Sequence, residues 1–557
     1  MLQWKFAYLR PVLVAAINPS VTYKIESHNR FLRIAWWILA ATVLGLTVAI
    51  RIRLLGIPLE RDEGEYAYTG QLMLQGIPPY KLAYNMKFPG SYAAYAVMMS
   101  IFGQTITGIH LGLLFLNAAT VALVFFLGRR LVNSTAGIAA AATYAVLSVS
   151  PSVLGFAAHA THFVVLSVLG GALLLLRPPN RQSLPILFAS GAFFGIGLLM
   201  KQPAVFFVLF GASYLFYRDC RARVGLKKTL VQTAAFSCGA IMPFGIACFF
   251  LWRAGVFAKF WFWTVDYARQ YGGLVPLTEG MHIFVQVVTS VIGSGWALWI
   301  LAGIGLVVSA WDPMMRANAS FLIGLLVFAA AAVCPGFYFR PHYFVLLLPA
   351  ISLLAALAAV RVSDLLKSHL SPVRLVPFLF FGAALSLPIF QERSFLFIAP
   401  VESASRMIYP ESPFSESVRV AQYIREHSAP TDTIAVLGSE PQIYFYSQRH
   451  SATGYLYTYA LMEPQHYAHQ MQREMIHEIE RARPKYLIFV GMTDSWLKRP
   501  GSDGLIFTWA HDYIPQNYSV TGLVDLSAFD RTHYYFGDVP RPLPQLENYV
   551  LICERKS

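Results

Sequence analysis

The 557-residue chain is 56% hydrophobic and only 13% charged, with a mean hydropathy of +0.52. This excludes a soluble globular protein of that size, which would need far more polar surface, and points to a polytopic α-helical membrane protein. The net charge of +14 is scattered in short Lys/Arg clusters between apolar runs, which excludes a nucleic-acid-binding face and fits orientation signals at one side of a membrane.

Residues 1–30, with Lys5, Arg10, Lys24 and Arg30, read as a cytosolic, membrane-skimming segment that lacks the compact apolar run of a cleaved signal. A first span is predicted at 31–50, since about 20 apolar residues suffice to cross. A first external loop follows at 55–104. It contains Arg61-Asp62-Glu63-Gly64-Glu65-Tyr66-Ala67-Tyr68, the densest acidic cluster in the first three hundred residues. Asp62-Glu63-Gly64-Glu65 fits a helix-opening capping box with Asp62 at the N-cap. Carboxylates at a membrane edge are also costly and usually placed for a purpose. Within the same loop, Tyr92 to Phe102 is short and ringed by Tyr, Gly and Met, and predicts an interfacial helix.

Further spans are predicted at 105–127, 134–153, 160–176, 183–200, 203–217, 229–252, 283–308, 319–337, 343–360 and 375–391, making about eleven in all. The basic connections Arg129-Arg130, Arg177 to Arg181, Arg218 to Lys228, Arg316 and Arg361 to Arg374 then share a side with the N-terminus. The prediction is N-terminus inside and acidic loop outside. Arg51 and Arg53 fall on the other side and are expected to snorkel into outer headgroups. The five cysteines (220, 238, 248, 334, 553) show no CxxC or paired spacing, so neither a disulfide framework nor a zinc site is implied.

After Gln391 the texture changes. Helical periodicity at 415–427, a strand at Thr433 to Leu437, a polar helix at 463–483 and a strand at Lys485 to Val490 predict an α/β domain over 392–557. An odd span count places that domain outside the cytoplasm. It has no GxGxxG fingerprint at its strand ends and is assigned no nucleotide.

Several ionisable groups fall on the same predicted outer face as Asp62 and Glu63: Glu65 and Lys87 in the first loop, His159 and His162 at the third and fourth spans, Lys201 between the fifth and sixth, and Arg340 and His342 at the ninth. Each alone has an ordinary structural reading, as cap, anchor or packing partner; their convergence is what suggests chemistry.

The cluster at 61–68 followed by Lys87-Phe88-Pro89 resembles the first external loop of the C-type (GT-C) glycosyltransferase superfamily. The nearer resemblance is to its protein O-mannosyltransferase and lipid A aminoarabinose transferase branch. Gly195-Ile196-Gly197-Leu198-Leu199-Met200-Lys201-Gln202-Pro203 is similar to that branch's glycine-rich span ending in lysine. Arg340-Pro341-His342-Tyr343-Phe344 with Leu348-Pro349-Ala350 is similar to its late segment. The tail resembles theirs at Gln422-Tyr423-Ile424, Asp432-Thr433-Ile434, Tyr444 to Arg449 and Tyr455-Leu456-Tyr457. Two positions depart from the pattern. Ala160-Thr161-His162 stands where aminoarabinose transferase-like members have a second acid, and Glu65 stands where an arginine is usual.

The resemblance implies a GT-C module over 31–391 that transfers a sugar from a polyprenyl-phosphate-linked donor to an extracytoplasmic lipid, glycan or protein, and one base on the face opposite the leaving phosphate would make the displacement inverting. It implies Asp62 as base with Glu63 in support, and Lys87 and Lys201 as donor-phosphate ligands. Arg340 is a further candidate for the phosphate. Glu65, His162 and His342 are accessory candidates, with His162 standing in for the missing acid. No cofactor is implied, and a divalent metal at the adjacent acids stays open. The partners implied are the lipid-linked donor, the acceptor and membrane lipids, not nucleic acid. Two other readings use the same features: a carrier or flippase for lipid-linked saccharides, and a non-catalytic cell-envelope assembly protein.

Overall fold

The structure, a computed structural model, describes residues 19–177, 182–312, 316–365, 375–528 and 531–556. Parts of the predicted cytosolic segment (1–18) and of two basic clusters (178–181 and 366–374) lie outside the described residues. By length and composition, three helices can cross a membrane: Ile34–Gly56, Ile106–Leu131 and Leu226–Arg253. A fourth candidate is a pair, Phe257–Gly272 and Leu277–Ile292, bent by 91°. Shorter apolar helices occupy Ser134–Leu147, Ala160–Leu175, Leu184–Met200, Trp296–Trp311, Asn318–Val333 and Val376–Gln391. Large apolar side chains such as Trp37, Phe249, Trp252, Trp311 and Phe380 stand exposed on this bundle. A water-facing surface does not carry them in such number.

Three helices that can cross, or four with the bent pair, stand against about eleven predicted spans, and two segments take a form that was not predicted. The 283–308 segment is two helices, Leu277–Ile292 and Trp296–Trp311, broken at Gly293-Ser294-Gly295. Helix Phe257–Gly272, with a π-helical stretch at Phe262–Tyr267, was not predicted, because its aromatic residues are interleaved with Lys259, Asp266 and Arg269. Arg51 and Arg53 do not snorkel. Arg51 is buried and donates to Ser148 O (2.7 Å) and Gly155 O (3.2 Å). Arg53 donates to the carbonyls of Phe395 (3.0 Å) and Leu396 (3.1 Å), and also bonds Ala399 O. Both cations therefore satisfy carbonyls left free where helices end, fixing the first helix against two later turns.

The C-terminal domain is a six-stranded mixed sheet of order β2-β1-β3-β6-β4-β5, with β1 Thr433–Leu437, β2 His450–Ser451, β3 Tyr486–Gly491, β4 Tyr518–Ala528, β5 Arg531–Phe536 and β6 Tyr549–Arg555. β1 runs parallel to β2 and β3, while β6 pairs antiparallel with β3 and β4. The predicted strands are β1 and β3, and the predicted helices are Phe414–Glu426 and Ala468–Ala482.

Helix Arg61–Leu74 is clamped between the two parts of the molecule. Its Gly64 lies against the backbone of Gln442, and an added Cβ would come within 2.7 Å of Gln442 N. Its other face buries Tyr66, which packs on Tyr92 and Tyr95 of helix Pro89–Phe102. At the end of helix Leu184–Met200, close packing sets where Lys201 emerges. A Cβ on Gly195 would sit 2.2 Å from Ala240 O, so only glycine lets helix Leu226–Arg253 approach this closely.

Candidate functional site

The helix carrying Asp62 opens with a capping box, but two residues earlier than the sequence suggests. The Glu60 side chain accepts from Glu63 N (2.9 Å), and Glu63 Oε2 accepts from Glu60 N (3.4 Å). Glu60 has extended backbone angles as the N-cap, so helical geometry begins at Arg61 and Asp62 falls inside the first turn. Its carboxylate gains from the helix dipole there but is not used as the cap.

Asp62 Oδ1 accepts from Lys87 Nζ (2.7 Å) and from Tyr457 Oη (2.8 Å). Lys87 Nζ also donates to Glu65 Oε2 (2.6 Å), and its ammonium lies over the rings of Tyr66 (4.6 Å) and Tyr457 (4.9 Å). The backbone at Lys87 is fixed, since its carbonyl accepts from Tyr80 Oη (2.7 Å). Glu65, almost fully buried, accepts further bonds from Tyr92 Oη (2.6 Å) and Asn85 Nδ2 (2.9 Å). Burial pushes the Asp62 carboxyl up. Lys87 first, then His342 and His159, outweigh that and hold it well below the usual carboxylate range. Burial pushes Glu65 up in spite of Lys87, and pushes Glu60 well up with help from the charges of Asp62 and Glu63.

The other oxygen, Oδ2, faces two imidazoles. His159 Nδ1 is 3.9 Å away and His342 Nε2 is 4.0 Å away. The two rings stack on each other with centroids 4.0 Å apart. Burial takes His159 down to about 4, so it is neutral at pH 7. Burial and the neighbouring His159 and Lys201 also depress His342. Asp62, His159 and His342 each offer a ligand atom, all within 4.8 Å of one another. A carboxylate and two neutral imidazoles suit a divalent transition ion better than Mg²⁺ or Ca²⁺, which prefer oxygen.

Lys201 Nζ lies 3.4 Å from His342 Nε2 and 4.0 Å from the centroid of Tyr343, with no carboxylate partner among the described residues. Burial lowers it to about 7, with Lys87 adding repulsion and Asp62 opposing it. Arg340 is exposed, 5.9 Å from the Tyr338 ring, and within electrostatic reach of Asp62 and Tyr343.

The structure thus gathers Asp62, Glu65, Lys87, Lys201, His342 and Arg340 as the sequence suggests, and moves two others. Glu63 does not touch Asp62. Its carboxylate accepts from Ala158 N (2.6 Å) and pairs with His110 Nε2 (3.1 Å), so it fixes the helix start against neighbouring segments. His162 makes no contact with Asp62 and is buried with neither ring nitrogen bonded among the described residues. The histidine at the site is His159, one turn earlier at the helix N-cap. Tyr457 and Glu60 are the residues that sequence reasoning missed; His159 is among the converging groups it names, but it prefers His162 as the accessory residue. Tyr457 lay inside a tail motif that was noticed only as a resemblance.

Residues 87–252 match the profile of the dolichyl-phosphate-mannose-protein mannosyltransferase family. No curated protein matches the chain. Among solved structures, ArnT from Cupriavidus metallidurans bound to undecaprenyl phosphate is 15% identical, covers 93% of this chain and 98% of its own, and has a TM-score of 0.55. Its apo form gives 14%, 94%, 98% and 0.54. The archaeal oligosaccharyltransferase AglB from Archaeoglobus fulgidus, in complex with an inhibitory peptide and a dolichol-phosphate, is 14% identical, covers 90% of this chain and 75% of its own, with a TM-score of 0.51. The chain has the GT-C fold. In this fold the Asp62 helix, the Lys201 turn and the His342 segment all converge at one end of the helical bundle, against the sheet domain.

Proposed function

We propose that this GT-C chain is a membrane glycosyltransferase that moves a sugar from a polyprenyl-phosphate donor to an extracytoplasmic acceptor. The observation that carries the reading is the asymmetry of Asp62. One oxygen is held by Lys87 and Tyr457, while the other faces the His159 and His342 rings at 3.9 and 4.0 Å without a hydrogen bond, beside His342's neighbour Lys201, which has no carboxylate partner among the described residues. The donor class is supported by the lipid phosphate named with two proteins of the same fold.

In this mechanism the acceptor hydroxyl hydrogen-bonds Asp62 Oδ2. Its oxygen forms the new bond to the anomeric carbon as the carbon–phosphate-oxygen bond breaks on the opposite face, which inverts the centre. The proton passes to Asp62 and the electron pair leaves with the lipid phosphate. A carboxylate as acidic as Asp62 is a weak base, so it orients the hydroxyl and takes the proton late, when the departing phosphate has made the hydroxyl acidic. Lys87 is committed to Asp62 and Glu65. The phosphate charge therefore falls to Lys201, as a point charge, and to Arg340. The acceptor classes are a lipid, a glycan or a protein. The test is purified, reconstituted protein given labelled polyprenyl-phosphate sugars. Release of free polyprenyl phosphate with label on an acceptor supports transfer. Movement of the intact donor across the bilayer without release supports the carrier reading instead.

Two further expectations belong here. With about eleven spans and the N-terminus inside, residues 392–557 stand outside the cytoplasm. A reporter fused after Ser557 should be active only there; activity confined to the cytoplasm overturns the topology. The second concerns pH. Lys201 in the free enzyme loses its proton above about 7, whereas bound phosphate holds the proton on. The donor kcat/KM should therefore fall by roughly tenfold per pH unit above that value while kcat stays flat. Lys201→Arg, which cannot deprotonate in this range, should remove the alkaline limb. An unchanged limb in Lys201→Arg assigns it to another group.

A further inference from the structure

Asp62 and Lys87 belong to the first loop, yet the hydroxyl bonded to Asp62 Oδ1 comes from a residue 395 positions later. We infer that Tyr457, presented by the C-terminal sheet domain, is a positioning residue for the Asp62 carboxylate, so that this domain completes the transfer site. The inference rests on the proposed transferase reading and adds a residue and a domain to it.

Three observations support it. Tyr457 acts twice on the same pair, donating its hydroxyl to Asp62 at 2.8 Å and setting its ring 4.9 Å from the Lys87 ammonium. With Tyr66 it encloses Lys87 between two aromatic rings and so keeps the ammonium on Asp62 and Glu65. The rotation of the carboxylate is then fixed by two donors on Oδ1, which is what presents Oδ2 to a reactant.

The segment carrying Tyr457 is also held from both ends. On one side, Tyr84 N donates to Gly454 O (2.6 Å), tying it to the loop that delivers Lys87. On the other, Thr458 N donates to Ser439 Oγ (3.0 Å) and Thr458 Oγ1 donates to Ser495 O (2.9 Å). Ser439 and Ser495 lie just beyond the carboxyl ends of β1 and β3, where open α/β sheets place their functional loops.

Finally, the residue next to Asp62 is gripped from the same domain. Arg61 donates to Ser439 O (2.6 Å), pairs with the buried Glu440 (3.2 Å), and sits 5.2 Å from the rings of both Phe414 and Tyr459. Two consecutive residues at the start of the site helix are thus registered by the sheet domain. A tyrosine serving only to dock the two parts would need the ring and the backbone ties, not a hydroxyl on the same Asp62 oxygen that Lys87 holds.

The test uses full-length reconstituted protein. Tyr457→Phe keeps the ring over Lys87 and removes only the hydroxyl. It should lower kcat about tenfold, the loss expected for a hydrogen bond to a charged group. The donor KM and thermal midpoint should stay unchanged. The acidic limb of the kcat–pH profile should move upward, because the ionised carboxylate loses a donor. Wild-type kcat with an unmoved acidic limb overturns the inference. A second readout does not depend on turnover. An amine-reactive label followed by mass spectrometry should modify Lys87 several-fold faster in Tyr457→Ala than in wild type, and equal rates overturn the enclosure of Lys87. If the wild-type protein transfers no sugar at all, the transferase reading fails, and the labelling result still decides whether Tyr457 closes over Lys87.

Discussion

Asp62→Asn is expected to lower transfer by about 10²–10⁴-fold, the scale of a lost general base, in a protein that still inserts and folds. The structure sharpens this expectation. The helix is capped by Glu60 and Glu63, so Asp62 has no capping role for Asn to preserve or to lose. An Asn side chain can still accept from Lys87 and Tyr457 through its carbonyl oxygen, which then leaves an amide nitrogen where Oδ2 stood. That nitrogen donates, so it presents the wrong polarity to an acceptor hydroxyl and cannot take its proton. The measurement is turnover of the purified variant beside its thermal midpoint. Near wild-type turnover in an intact protein would falsify the assignment of Asp62 as base and turn attention to His159, the neutral imidazole beside Oδ2.

The site was legible in the sequence where chemistry and position along the chain coincide. Lys87, Lys201, Arg340 and His342 are polar groups placed just where apolar runs stop, and burial there is costly enough to mark them. Choosing between His159 and His162 was a different problem. They are one turn apart, and which one faces Asp62 depends on where the helix starts. His159 has extended backbone angles at the N-cap, whereas His162 lies within the helix and is fully buried. The capping residue failed for the same reason. Glu60 and Asp62 both precede an acid three residues on, and only the extended backbone at Glu60 itself selects the first.

Tyr457 was invisible because its partner lies 395 residues away, a contact made by docking two domains and not by any local pattern. In the fold, β1 and β3 are short apolar runs bounded by polar segments and were readable. β4 and β5 mix tyrosines, threonines and charges on partly exposed faces, so their apolar signal is diluted. The break at Gly293-Ser294-Gly295 divides a segment whose mean hydropathy is continuous, which is why one span was expected in place of two helices.

Lys87→Ala is expected to damage stability as well as turnover, in contrast to the bare loss of a phosphate contact that the sequence suggested. Lys87 is the shared donor of a buried triad, and its removal leaves Glu65 almost fully buried without a cation. Breaking such a pair from one side costs about 3–5 kcal/mol, less whatever Glu65 recovers by taking a proton. Tyr92 and Asn85 still reach Glu65, so the site is not emptied of partners. The sign of the pH dependence follows. Without Lys87 the folded-state pKa of Glu65 rises further above its unfolded value. The folded variant then binds the extra proton, and the stability from this group is present at low pH and lost as pH rises through the folded pKa. Lys87→Ala should therefore unfold at a lower temperature than wild type, with the gap wider at pH 8 than at pH 5.5, both within ordinary working range for such a measurement. Adding Glu65→Gln removes the stranded charge and should recover most of the lost thermal stability. It should not recover turnover, because Asp62 has lost one of the two donors that fix its orientation. A double variant regaining both would mean that Lys87 only neutralises Glu65. A Lys87→Ala protein with wild-type stability at pH 8 would show that the triad is too well hydrated to behave as a buried pair.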